Sequence, residues 1–206
     1  MQAAAAIAGG LREALPDATI TTCPMADGGE GTSEILATAA SLSGVEVQTI
    51  TLPTTDARGR LTEASYFLAG EHALIDVASA TGLPAVANDL DPLHSDSYGT
   101  GVLIADAEAR GAKHIVLCLG GSATIDGGMG ILAALGAAAH DERGYALPKG
   151  GAPLVRLDNI DTAQLNIKAS ALDYTLLADT RAVPIQAATM YGPQKGVEGE
   201  HIALLA

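Results

Sequence analysis

The sequence has no tryptophan and a single phenylalanine, and aromatic residues make up only 3% of its 206 positions. Its core must therefore be built from small side chains, which suits helices packed closely on a sheet. Basic residues are also few, 11 against 24 acidic ones, for a net charge of −13. A field of that sign repels phosphate and argues against nucleic acid or anionic membranes as partners. An anionic ligand would have to be held by local donors, mainly backbone N–H groups and a few Lys or Arg. Only two cysteines occur, Cys23 and Cys118. Cys118 stands in the apolar run Ile115-Val116-Leu117-Cys118-Leu119 and reads as a small buried residue, not as a disulfide or metal partner. The five histidines (His72, His94, His114, His140, His201) lack ligand spacing such as H-x-x-x-H, so a histidine metal site is not expected. No apolar run approaches the roughly 18 residues of a membrane helix, and the start lacks the basic region of a secretory signal. A soluble, cytoplasmic protein is the expectation.

What is present is apolar and small: 48% hydrophobic residues and 24 glycines. That composition excludes disorder, and the length supplies one large domain or two small ones. Ala4, Ile7, Ala8, Leu11 and Leu15 recur at helical spacing and stop before Pro16. Residues 18–23 read as a short strand, and a helix follows Gly31 to about Ala40. The β-like runs 45–52, 61–68 and 73–77, joined by the short segments 56–59 and 69–71, imply antiparallel neighbours. Ser97 is a candidate cap for a helix that runs to Arg110 and stops at Gly111. Residues 114–119 form an uninterrupted apolar strand, as expected where both faces are covered. A further helix is expected over 127–139, strands near 155–160 and 173–178, and a first helical turn at 201–206. The fold class is α/β.

One device occurs twice. Asp27-Gly28-Gly29-Glu30-Gly31 and Asp126-Gly127-Gly128-Met129-Gly130 each follow a strand-like segment and open a helix. Glycines let the backbone turn tightly and let a ligand approach the main chain. A helix start offers unpaired N–H groups and the positive dipole end to a carboxylate or phosphate. Each Asp reads either as an N-cap, with Asp27 and Glu30 imitating a capping box, or as a ligand group that holds Mg²⁺ or accepts a hydroxyl proton. The two readings are compatible.

The stretch Gly120-Gly121-Ser122-Ala123-Thr124-Ile125-Asp126-Gly127-Gly128 is the sharpest feature. It follows a buried strand, where open α/β sheets place ligands, and it supplies hydroxyls, bare backbone and a carboxylate. It is neither a Walker A loop nor a dinucleotide fingerprint, so the motif alone points to an anion or nucleotide crevice, with a purely structural turn as the alternative. Lys195, in Gly192-Pro193-Gln194-Lys195-Gly196, could reach a phosphate, and Arg58 beside Gly59 is a similar candidate; for both, a solvated side chain is the competing reading. Asp179 follows an apolar strand at the end where catalytic carboxylates often lie.

Four segments together resemble a known family. Met25-Ala26-Asp27-Gly28-Gly29-Glu30-Gly31-Thr32 is similar to the ADGGEGT motif of bacterial-type glycerate kinases. Ser97-Tyr98-Gly99-Thr100-Gly101 resembles their S-Y-G-T-G helix start, residues 120–130 their GGSATNDGGAG loop, and residues 192–196 their GPQKG loop. All four stand in the family's order and span almost the whole chain. The resemblance implies ATP-dependent, Mg²⁺-assisted phosphorylation of D-glycerate to phosphoglycerate, with 2-phosphoglycerate as the expected product. It implies a Rossmann-like portion, here residues 1–52, and a second α/β portion with a mixed sheet, residues 53–206, with the site in a cleft between domains and a homodimer allowed. Carried onto this sequence, the catalytic candidates are Asp27, Asp126 and Asp179, with Asp126 also the metal candidate. The substrate-binding candidates are Gly28, Gly29, Glu30, Arg58, Gly121, Ser122, Thr124 and Lys195. Three departures accompany the match. The family's opening strand and A-P-D-S-F-K-like loop are not seen, Ile125 stands where Asn is usual, and Thr180-Arg181-Ala182-Val183-Pro184 replaces the N-P-L-x-G stretch after Asp179. A chain cut short at both ends, and an inactive fragment retaining only binding or interaction capacity, are the corresponding alternative expectations.

Overall fold

A computed structural model describes residues 2–206. The chain opens with α1 (Gln2–Ala14) and α2 (Thr32–Leu42), then enters a hairpin of β1 (Val47–Thr55) and β2 (Leu61–Ala69). Asp56 ties the hairpin turn: its Oδ1 accepts from the N–H groups of Arg58 at 2.8 Å and Arg60 at 3.0 Å. A second tight turn returns the chain into β3 (His72–Asp76), antiparallel to β2. Connections this short leave no other geometry. β3 is followed by α3 (Val77–Thr81) and α4 (Tyr98–Ala109), which carry the chain over to β4 (His114–Cys118). A second crossover holds α5 (Met129–Ala134), the two-stranded ribbon of β5 (Ala138–His140) and β6 (Asn159–Asp161), and α6 (Ile167–Ser170), and delivers β7 (Asp173–Leu177). β3, β4 and β7 are parallel neighbours, which is why each link between them is long. The result is one mixed sheet of order β1-β2-β3-β4-β7. The chain ends with α7 (Pro184–Tyr191) and α8 (His201–Leu205).

Alternation along the strands divides the core between two faces. Tyr66, Ile75, Ile115 and Leu117 face α4, whose Leu103, Ile104 and Ala107 are buried with them. Leu74 and Val116 point the other way, onto Ala37 and Leu36 of α2. Each large side chain fully buried here contributes about 1.5–3 kcal/mol. The scarcity of aromatics has its counterpart in close approach of helices. At Gly101 of α4, a Cβ would lie 2.6 Å from Ala134 Cβ and 2.8 Å from the Ile131 carbonyl oxygen of α5. Tyr66, whose ring is fully buried, keeps its polar end satisfied by donating to Asp106 Oδ2 at 2.8 Å, and Arg110 Nε donates to the same oxygen at 2.7 Å. Burial, with the neighbouring Asp106, raises the Tyr66 phenol well above its ordinary range.

Several sequence expectations need correction. Residues 18–23 form no strand, because no described strand pairs with them. The first helix forms as the spacing predicts, yet only Ala8 of its apolar face is buried, while Ile7, Leu11 and the following Leu15 are exposed. The helix expected over 127–139 ends at Ala134: Gly136 turns into the left-handed region at φ 98°, and residues 138–140 become β5. Of the strand expected near 155–160, residues 155–156 close a 3₁₀ turn (Ala152–Arg156) and only 159–160 are extended, as the start of β6. Residue 52 lies in β1, which pairs with β2 along its full length. No helix of the described residues is long and apolar enough to cross a membrane.

Candidate active site

The carboxyl ends of β3, β4 and β7 lie side by side, and the glycine loops gather above them. Leu119 N–H, just past β4, donates to Leu177 O at 3.0 Å, and Gly120 N–H donates to Gly28 O at 3.1 Å. The two glycine-rich segments are thus in direct backbone contact. Only glycine fits at position 120, since a Cβ there would lie 2.5 Å from Gly29 Cα. Below them Cys118 is buried, and burial next to Asp76 pushes its thiol up to about 12, which leaves no nucleophile there.

Both helix mouths turn out to be filled by the chain itself. At the start of α2 the Asp76 carboxylate accepts from Gly31 N–H at 2.9 Å and Ser33 N–H at 3.0 Å. Among the described residues Asp27 accepts only from Gly29 N–H, two residues on, at 2.9 Å, and no side chain caps α2 from position 31. The capping box suggested by Asp27 and Glu30 is not formed. At the start of α5, Asp126 is buried, and its Oδ2 accepts from Gly130 N–H (3.0 Å), Ser97 N–H (2.8 Å) and Ser97 Oγ–H (2.7 Å). Its Oδ1 accepts from Gly128 N–H at 3.1 Å. Ser97 therefore serves a different helix from the one it was expected to cap: its hydroxyl donates to Asp126 and accepts from Ile131 N–H of α5. Donors at the helix start have met carboxylates, as the dipole favours, but protein ones.

What stays open is the loop itself. A cleft of about 740 Å³ is lined by Gly121, Ser122, Thr124, Asp126, Asp179 and Lys195 together with an apolar wall that includes Ile125, Leu154 and Val155. Among the described residues the N–H groups of Ile125, Asp126 and Gly127 have no hydrogen-bond partner. Ser122 and Thr124 present a hydroxyl pair 2.9 Å apart. Lys195 is not the solvated loop lysine of the competing reading. It is 9% exposed, and its Nζ donates to Thr124 O at 2.7 Å. Burial pushes its ammonium down to about 8, against the pull of Asp126, which favours the charged form. Asp179 is exposed at the end of β7 and makes no side-chain hydrogen bond among the described residues.

The other candidates lie elsewhere. Asp27 and Glu30 line a separate depression of about 540 Å³. Gly28 is buried and Gly29 half-buried in the backbone junction beneath, where Gly28 packs against Leu177 O. Arg58 forms ion pairs with Asp91 at 2.8 Å and Asp89 at 3.4 Å, away from the cleft. Sequence reasoning missed Asp76, whose capping role spans 45 residues of sequence, and missed Tyr191 and Gln194 of the cleft. Pro184, a residue type favoured at the first helical position, was the available signal for α7, which carries Tyr191.

A family model described as the glycerate kinase family matches residues 1–206, the whole chain. The chain belongs to the glycerate kinase family. A glycerate 2-kinase of Escherichia coli K12 is 40% identical over 207 residues, covering 95% of this chain and 51% of the relative. A glycerate kinase of Halalkalibacterium halodurans is 36% identical over 202 residues, covering 95% of this chain and 52% of the relative. A solved structure of a candidate glycerate kinase 2 from Salmonella typhimurium LT2 superposes with a TM-score of 0.82 at 38% identity, covering 98% of this chain and 55% of that one. The chain thus spans about half the length of the curated relatives it matches.

Family membership brings a divalent cation into question, and the residues present can be tested for it. Among the described residues no group of three or more His, Cys, Asp or Glu is placed to hold a metal ion. Asp126 fits such a role poorly, since it is buried and its oxygens already accept from four donors. Asp179 fits better as a lone carboxylate on the cleft wall, because Mg²⁺ takes one or two carboxylates alongside substrate phosphates.

Proposed function

We propose that this glycerate kinase family chain carries the substrate cleft of an ATP-dependent kinase that phosphorylates D-glycerate, with 2-phosphoglycerate as product. The observation that carries this reading is the meeting of three distant segments, residues 120–128, Asp179 and Lys195, around one cavity. Phosphoryl transfer asks mainly for positioning and charge neutralisation, both of which fixed dipoles can supply. The free N–H groups of residues 125–127 and the hydroxyls of Ser122 and Thr124 are donors for a carboxylate or a phosphate. Lys195 gives the cleft a positive charge in a chain of net charge −13. Asp179 is the group placed to orient the acceptor hydroxyl or to hold Mg²⁺, which when bound with nucleotide neutralises phosphate charge. Asp126 acts by holding α4 and α5 together under the loop, through Ser97 and Gly130.

A second reading is binding without turnover. It is favoured by Ile125, an apolar residue in the middle of the donor loop, and by the exposed apolar residues of α1, which have no partner among the described residues. Calorimetry with D-glycerate and with Mg-ATP, followed by a coupled ADP-release assay, separates the two. Release of ADP that depends on D-glycerate supports the kinase reading; binding without release supports the second; no binding of either ligand refutes both.

A further inference from the structure

We propose that Lys195 is the residue that contacts the transferring phosphoryl group, held ready for it by the Thr124 carbonyl. The proposal rests on the kinase reading above and adds the assignment of one cation to one substrate group. The argument begins with how firmly the residue is mounted. Residues 193–195 form a 3₁₀ turn, with Lys195 N–H donating to Gly192 O at 2.9 Å and Val197 N–H to the same oxygen at 3.0 Å. Val197 is fully buried, so the turn is anchored just beyond the lysine. From this mount the side chain runs through a buried path to the cleft, where Nζ reaches Thr124 O. An ammonium carries three donors, and only that one has a protein partner among the described residues. Two remain for a ligand.

Among the described residues Lys195 is the only Lys, Arg or His that lines the cleft, which also carries the carboxylates of Asp126 and Asp179. Burying an ammonium disfavours its charged form, and Lys195 bears that burden with one neutral carbonyl and a nearby Asp126 in compensation. A lysine that merely tied the turn to the loop could be replaced by an apolar side chain at lower cost. An incoming phosphoryl group completes the missing partners. In the transfer, the acceptor hydroxyl oxygen bonds to the γ-phosphorus and the bond from that phosphorus to the β,γ-bridging oxygen breaks. The bonding pair leaves with ADP, and the hydroxyl proton passes to Asp179 or to solvent. Lys195 stays protonated throughout and balances charge on the moving group.

The chain has four lysines, at positions 113, 149, 168 and 195, so the side-chain Cε signals of a ¹³C-lysine-labelled sample can each be followed. Lys195→Arg removes one signal and assigns it. The expected result is that Mg-ATP raises the titration midpoint of Lys195 by about one unit or more, the size of effect a phosphate beside an ammonium produces, and leaves the other three unmoved. AMP, which lacks the β and γ groups, leaves all four unmoved. Mg-ATP that binds by calorimetry without moving the Lys195 midpoint overturns the assignment and leaves the kinase reading standing. A shift of equal size with AMP also overturns it, since the contact would then be to the α-phosphate. No detectable binding of Mg-ATP overturns the kinase reading and the assignment with it.

Discussion

Replacing Asp126 with alanine removes the acceptor of four hydrogen bonds at once. Two of the donors, Gly128 N–H and Gly130 N–H, belong to the start of α5; the other two, the N–H and Oγ–H of Ser97, belong to the start of α4. Loss of a helix cap alone costs about 0.5–2 kcal/mol. A buried donor left without a partner costs about 1–3 kcal/mol more, and Ser97 N–H is buried. Some donors will recover water in the cavity that the truncation opens, so the sum is about 3–4 kcal/mol and not the total of every loss. For a chain of this length that corresponds to a fall in Tm of about 10 °C. Urea unfolding followed by circular dichroism measures it: the midpoint should fall with little change in slope. Asp126→Asn makes a sharper variant, because its amide NH₂ would face donors on one side and should cost a similar amount despite its matching shape. A loss below about 1 kcal/mol for Asp126→Ala would refute the reasoning that Asp126 is first a structural acceptor.

Lys195 gives a pH signature. The folded-state ammonium titrates at about 8 against 10.5 for the ordinary group, so between those values the unfolded chain binds more protons and stability rises with pH. The rise amounts to about 3 kcal/mol at most, is complete near pH 10.5, and should be absent from the difference between wild type and Lys195→Met below pH 8. A wild-type-minus-variant stability that does not rise between pH 8 and 10.5 counts against it. Gly120→Ala should destabilise by about 1–3 kcal/mol through overpacking, since the new Cβ meets Gly29 Cα at 2.5 Å, and it should weaken ATP binding measured by calorimetry. Asp179→Asn should leave Tm within about 1 °C, because the side chain is exposed and makes no hydrogen bond among the described residues, and should remove the Mg²⁺ dependence of nucleotide binding; unchanged Mg²⁺ dependence would exclude Asp179 as the ligand.

Much of the scaffold was legible because its signals are local. The runs 45–52, 61–68 and 73–77 are β-like, residues 115–118 are apolar throughout, and the connections between the first three strands are too short for anything but antiparallel pairing. The α/β class, α2, α4 and the buried Cys118 follow from such patterns. The failures share one cause. Residues 18–23 look like a strand but have no described neighbour to pair with, and the helix after Gly128 is cut short at Gly136, where a Cβ would meet Gln164 O at 2.1 Å. Neither fact is local.

The candidate site divides along the same line. Residue type and spacing, without coordinates, marked residues 120–128, Asp179 and Lys195 as chemistry-bearing, and the order of four motifs was enough to suggest the family. Which of these groups remain available was decided by the fold. A backbone donor can be used once, and the register that sets Asp76 beside β4 also sets its carboxylate under α2, 45 residues away in sequence from the Gly31 N–H it accepts. In the same way the packing of α4 on α5 spends the α5 mouth on Asp126. The open donors were therefore shifted from the helix starts to the loop between them. Burial of the turn at Val197 turned Lys195 from a solvent-facing side chain into the charge that lines the cleft. Local chemistry is written residue by residue, whereas the allotment of partners depends on distances that exist only after the chain has closed on itself.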